Sequence, residues 1–173
     1  MPTRPVAGFA LMLSLLAACQ PALNWREARP EGSGALALFP CKPEVEQRPA
    51  RAAQGAMGLA QCETAGRRFA LAWADTPDAS QSGAALKAMA QALAAKLNQP
   101  LAPPQALQVP GMTPLPEAAQ HRLAASSGVT RLAVFAHGGR VYQALMSAPQ
   151  DDAAAWDAFV GGLRVGGAAE SAR

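Results

Sequence analysis

The chain has 173 residues, half of them hydrophobic, with fifteen Lys and Arg against twelve Asp and Glu and a formal net charge of +3. That length suits one core of ordinary size, and that balance excludes a polyelectrolyte. Arg67-Arg68 is the only adjacent basic pair, and without a basic run interleaved with aromatics a nucleic-acid partner is excluded.

In chain order, the first element is a targeting segment. Arg4 precedes an apolar stretch from Val6 to Leu16, followed by Ala17 and Ala18; this is the layout of a secretory signal and its small-residue cleavage site. A transmembrane helix needs roughly 20 apolar residues, and Gln20-Pro21 closes this run sooner. Leu16-Ala17-Ala18-Cys19 resembles the lipobox of bacterial lipoproteins, in which the cysteine becomes the lipidated first residue of the mature chain. An ordinary cleaved signal, with Cys19 an incidental residue, is the competing reading. The resemblance implies a membrane anchor at Cys19 made of several acyl chains, palmitate among them; two or more chains hold a bilayer stably where one does not. The inner-membrane retention signal of enterobacterial lipoproteins is an aspartate after the cysteine, whereas this chain has Gln20. The expected address is the cell envelope, at the outer membrane and facing the periplasm.

Removing residues 1–18 takes 173 residues down to 155, and losing Arg4 lowers the formal charge from +3 to +2. Of three cysteines, lipidation takes Cys19 and leaves Cys41 and Cys62, twenty-one positions apart. That spacing is too wide for a CxxC redox pair, and no histidines stand where a zinc site would need them. In an oxidising compartment an even remainder predicts a Cys41–Cys62 disulfide, with two free thiols as the alternative.

After a short tether at residues 19–24, Trp25–Arg29 reads as an edge strand and Pro30–Gly34 as dense turn chemistry. Ala35–Phe39 alternates with period two until Pro40 and Pro43 stop it. Residues 44–53 read as a polar loop opening into a weak strand at Gln54–Cys62, and Glu63–Gly66 supplies a hairpin turn. Arg67–Ala74 is the clearest strand, with Phe69, Leu71 and Trp73 on one side and alanines on the other. The period then changes. Leu86, Met89, Ala90, Leu93 and Leu97 recur at helical spacing over Ser80–Asn98, with Asp78, Ser80 or Ser82 as N-cap candidates. Six prolines between residues 99 and 116 exclude a helix and leave room for a short strand at Ala106–Val109. A meander follows: His121–Ser126, a turn near Ser127-Gly128, Thr130–Ala136, a tight turn at His137-Gly138-Gly139, and Val141–Ser147. Asp151 or Asp152 caps a last helix whose face is Trp156, Phe159, Val160 and Leu163.

Strands, one helix, more strands and one helix predict an α+β fold, a mostly antiparallel sheet of about six strands covered by two helices. The predicted organisation is a signal peptide at 1–18, a lipidated tether at 19–24, a single domain at 25–165 and a polar tail at 166–173. Trp25-Arg26-Glu27, Phe39-Pro40-Cys41-Lys42-Pro43, the Arg67–Ala74 strand, Gly139–Ala144 and the closing Trp156–Val165 segment resemble a group of uncharacterised bacterial lipoproteins. Their order of elements is in turn similar to the PsbP-like α/β/α sandwich. That resemblance implies an accessory or binding role and brings no catalytic residues with it.

The reactive inventory is thin. His121 and His137 are the only histidines, and His137 reads as a turn residue. His-Gly-Gly would suggest an esterase oxyanion loop only beside a Gly-x-Ser-x-Gly elbow, which Ser126-Ser127-Gly128 is not. The glycines at 32–34 and 161–167 lack P-loop or dinucleotide spacing. Glu44 and Glu46 read as solvated charges, Asp151-Asp152 as caps, and Trp73, Trp156 and Phe159 as core. No cofactor, metal or catalytic residue is expected. Two functions remain: a non-catalytic binding or accessory module of the envelope, with an envelope protein as a candidate partner, or a small hydrolase or transferase whose site assembles only in the fold. The enzyme needs a pocket with titratable groups in reach of one another, as would follow if Glu117, His121 and Arg122 shared a cleft. The accessory module predicts an exposed apolar patch or a concave sheet face.

Overall fold

Phe69, Leu71 and Trp73 are buried while the alanines between them are half-buried, so the strongest alternation in the chain does become a central strand. In the computed structural model, which describes residues 23–51 and 55–166, this strand is β5 (Arg67–Asp75). Before it come β1 (Arg26–Ala28), β2 (Ala35–Phe39), β3 (Glu44–Arg48) and β4 (Met57–Thr64); after it come α1 (Ser82–Lys96), β6 (Ala119–Ala125), β7 (Gly128–His137), β8 (Arg140–Ala148), α2 (Ala153–Gly161) and β9 (Arg164–Val165). Six of these form one antiparallel sheet in the order β3-β4-β5-β8-β7-β6. The α+β class and the six-stranded antiparallel sheet are as the sequence predicts.

The two faces of that sheet bury different partners. On one face Leu86, Ala90 and Ala94 of α1 pack with Leu123, Leu132, Val134, Ala136 and Val141. On the other, Phe69, Leu71, Trp73, Phe135, Tyr142 and Met146 meet α2 and a second, three-stranded sheet of order β1-β2-β9. Phe159 of α2 joins these layers. It is fully buried, 5.3 Å from the ring of Phe39 in β2 and 5.4 Å from that of Phe69 in β5, both edge-on, the geometry aromatic quadrupoles favour. Gly58 of β4 makes room for this core: a Cβ there would collide with the Trp73 indole.

Several expectations are refined. Residues 44–48 are a strand, although all five are exposed. Their backbone pairs with β4 whatever the side chains face, and charges are what an open edge favours. Ala106–Val109 is no strand, since only Gln105 bridges to Gln120, yet Leu107 and Val109 are buried as lone plugs. Leu163 lies beyond the end of α2 but remains buried. The two-residue β9 pairs with Ala35 and Leu36, a contact between sequence-distant segments that no local pattern announces. The turn Ala65-Gly66 has φ of 49° and 71°, the paired left-handed conformation of a tight hairpin, which suits glycine.

Candidate functional site

Cys41 follows β2, Cys62 lies in β4, and the two are bonded with their Cα atoms 6.0 Å apart. The bond ties the small sheet to the large one across a 21-residue separation, worth about 3 kcal/mol of chain entropy. Cys19 and the segment containing it lie outside the described residues.

The side chains that would have made an enzyme of β6 are separated by the pleat. His121 faces α1, is buried, and holds Nδ1 3.0 Å from the Ala102 carbonyl. Arg122, one residue on, points to the opposite face and donates to Asp151. Glu117 lies against Gly83 in the first turn of α1. The acidic pair splits its duties as well. Asp152 caps α2 by accepting from the Ala155 N–H at 3.0 Å, while Asp151 bridges Arg122 and Arg131. Those guanidinium groups hold the Asp151 carboxyl down at about 2.

A cleft of about 570 Å³ opens where β5 ends and the β7–β8 hairpin turns, lined by Asp75, Thr76, His137, Arg140, Tyr142 and glycines 34, 139 and 166. Register builds it: Asp75 stands opposite Arg140 in the β5–β8 ladder, and Arg140 opposite His137 across the hairpin. Arg140 donates from Nε to Asp75 Oδ1 at 2.6 Å and from Nη1 to the Gly32 carbonyl at 2.6 Å. Its pKa is raised above an already high value, chiefly by the hydrogen bond to Asp75. The Tyr142 hydroxyl donates to the Ser33 carbonyl at 2.8 Å, its pKa raised by burial, and its ring stacks 5.0 Å from Phe135. His137 Nδ1 is 2.6 Å from the Gly111 carbonyl. A carbonyl only accepts, so Nδ1 carries the hydrogen and Nε2 of the neutral ring keeps a lone pair. Gly166 (φ 78°) closes over that ring; a Cβ there would come within 2.6 Å of Cε1.

Asp75 and Arg140 are titratable groups in contact, but a guanidinium never gives up its proton near neutrality. The pair is a clamp and not an acid–base dyad. The cleft can hold a small polar ligand or a loop, with the His137 ring and the Thr76 hydroxyl at its rim. Of its side chains the sequence singled out His137 and, within a motif, Arg140 and Tyr142, while its glycines were read only as turn or cluster residues. Asp75 carries no signal, because its partner is 65 positions away. Among the described residues no group of three or more His, Cys, Asp or Glu side chains converges as a metal would require. A second, more apolar groove of about 380 Å³ runs between β3, β4 and α1, floored by Leu59 and Ala72 and edged by Met57 and Met89.

No family model matches the sequence, and no curated protein is significantly similar to it. Among solved structures it is similar to the solution structure of cyanobacterial PsbP (CyanoP) from Synechocystis sp. PCC 6803. The two are 9% identical, with a TM-score of 0.51, and the match covers 87% of this chain and 99% of that one. Likeness at this level establishes the fold: the chain is a PsbP-like sandwich.

Proposed function

We propose that this chain is a lipoprotein of the cell envelope, anchored through Cys19 at the outer membrane and facing the periplasm, where it serves as a non-catalytic binding or accessory module. The observation that carries the reading is how the cleft is built. Asp75 is held by Arg140, Tyr142 donates to Ser33 and His137 to Gly111, so the wall is rigid and its polar groups brace the chain. Such a wall suits holding a partner better than moving a proton, which needs a base poised on a nucleophile. The lipobox-like Leu16–Cys19 supports the anchor, and the Cys41–Cys62 bond supports an oxidising compartment.

Two measurements test the halves of this reading. Labelled palmitate enters the wild type and is lost from Cys19→Ser; equal labelling of both removes the anchor. Cross-linking and pull-down of the lipidated protein from its native envelope captures a partner that His137→Ala together with Thr76→Ala releases. Capture unchanged by that pair of substitutions places binding away from the cleft.

A further inference from the structure

Bracing the cleft uses part of its hydrogen-bonding capacity, and what remains is sorted by charge. Thr76 donates its hydroxyl hydrogen to the Gly139 carbonyl at 2.9 Å, so its oxygen is left to accept. His137 gives its Nδ1 hydrogen to Gly111, and Nε2 keeps a lone pair. Asp75 engages Arg140 through Oδ1, and its Oδ2 makes no hydrogen bond among the described residues. Three acceptors therefore remain in this cleft, one of them anionic. Arg140 engages Asp75 through Nε and Gly32 through Nη1, and its Nη2 donates to nothing among the described residues. The ion pair is not sealed off. Side-chain exposure is 34% for Asp75 and 24% for Arg140, and both line the cleft.

We infer that the cleft binds a small zwitterion, its ammonium at Asp75, Thr76 and His137 and its anionic group at Arg140 Nη2. The inference rests on the reading of the cleft as a binding site and names the ligand. Asp75 Oδ1 and Arg140 Nε are 2.6 Å apart, so the pair presents a negative and a positive charge side by side. A lone anion meets repulsion from Asp75, and a lone cation meets it from Arg140. Neutral hydroxyls leave both charges without a counterpart. A zwitterion laid head to tail against the pair satisfies both, and hydrogen bonds between charged partners are the stronger ones. Its two charges must lie only a few bonds apart, as in an α-amino acid or an ethanolamine phosphodiester. The three N–H hydrogens of a primary ammonium match the three acceptors, whereas a quaternary ammonium has none to give. A volume of about 570 Å³ suits a small-molecule site. Glycines 34, 139 and 166 line it without side chains, so the ligand can approach the backbone closely.

Matched pairs of ligands test this, because full methylation of the nitrogen removes its hydrogens and keeps its charge. The whole protein, in a non-ionic detergent, is titrated with free glycine, glycine betaine, glycerophosphoethanolamine and glycerophosphocholine, and binding is followed by heteronuclear NMR. At least one amine binds about tenfold or more tightly than its trimethyl counterpart, and it moves the amide signals of Thr76, Gly139 and Gly166. Free glycine as the tighter amine assigns an amino acid, and glycerophosphoethanolamine assigns a phospholipid headgroup. Thr76→Val, which keeps the shape and loses one acceptor, weakens the amine about fivefold. Acetate bound as tightly as the amines marks a plain anion site and overturns the zwitterion. Equal affinity within both pairs overturns it too, as does no binding by any of the four. If His137→Ala with Thr76→Ala still releases a captured partner in that last case, the cleft stands as a binding site and only its ligand is wrong. Shifts confined to residues outside the cleft overturn both.

Discussion

Arg122 and Arg131 stand directly opposite each other in the β6–β7 ladder, an arrangement that repels. Asp151 offsets it. One carboxylate accepts from Arg122 Nε at 2.8 Å and from Arg131 Nε and Nη2 at 2.7 and 2.9 Å. Hydrogen bonding to Arg131, ahead of that to Arg122, holds the carboxyl near 2, below its usual 3.8. A carboxyl whose pKa is lower folded than unfolded stabilises the fold above its unfolded value, and that stabilisation fades as pH falls through the folded one. Asp151→Asn is therefore less stable than wild type at neutral pH by about 1 kcal/mol, the shift being discounted for solvent exposure. Urea titrations at stepped pH check this: the gap is constant down to about pH 4 and closes toward about pH 2. A gap that persists at the lowest pH would show that the Arg131 contact carries no charge dependence. Both acids were visible in the sequence, yet only the fold distinguishes the cap from the bridge, because the two partners of Asp151 lie 20 and 29 positions back along the chain.

Of the two helices, α2 buries the larger share of its residues. Its nine residues bury Ala155, Trp156, Phe159 and Val160, and Trp156 Nε1 donates to Gln120 Oε1 of β6 at 2.7 Å. Phe159→Ala removes the ring shared by the two sheets and costs about 4 kcal/mol. Leu86→Ala on α1 costs about 3 kcal/mol, since that helix meets only one layer. Equilibrium denaturation ranks the pair, and the reverse order would place the main core under α1. How legible each element was follows from where its side chains point. β5 and α1 were plain, because alternation and helical spacing record burial on one face. β3 was hidden because none of its side chains is buried, so hydrophobicity had nothing to record. β9 was hidden because two residues hold no period at all.

At the scale of the whole molecule, β5 and β8 sit at the centre of the large sheet while β3 is an edge strand with every residue exposed. Native-state hydrogen exchange should accordingly be slowest in β5 and β8 and fastest in β1 and β3, with the β7–β8 hairpin close to the global limit. Slow exchange throughout β3 would mean that something covers its open edge. The sequence by itself determined the pieces that depend on neighbours along the chain: the α+β class, the central strand and helix faces, the turns, and the pair of cysteines. The tertiary structure alone decided which strands share a sheet and that Asp75 meets Arg140 and Tyr142 meets Ser33 to line a cleft. The reason is range. Burial and turn chemistry leave their mark within a few residues, whereas sheet register and packing bring together groups 65 and 109 positions apart, and no local pattern carries that information.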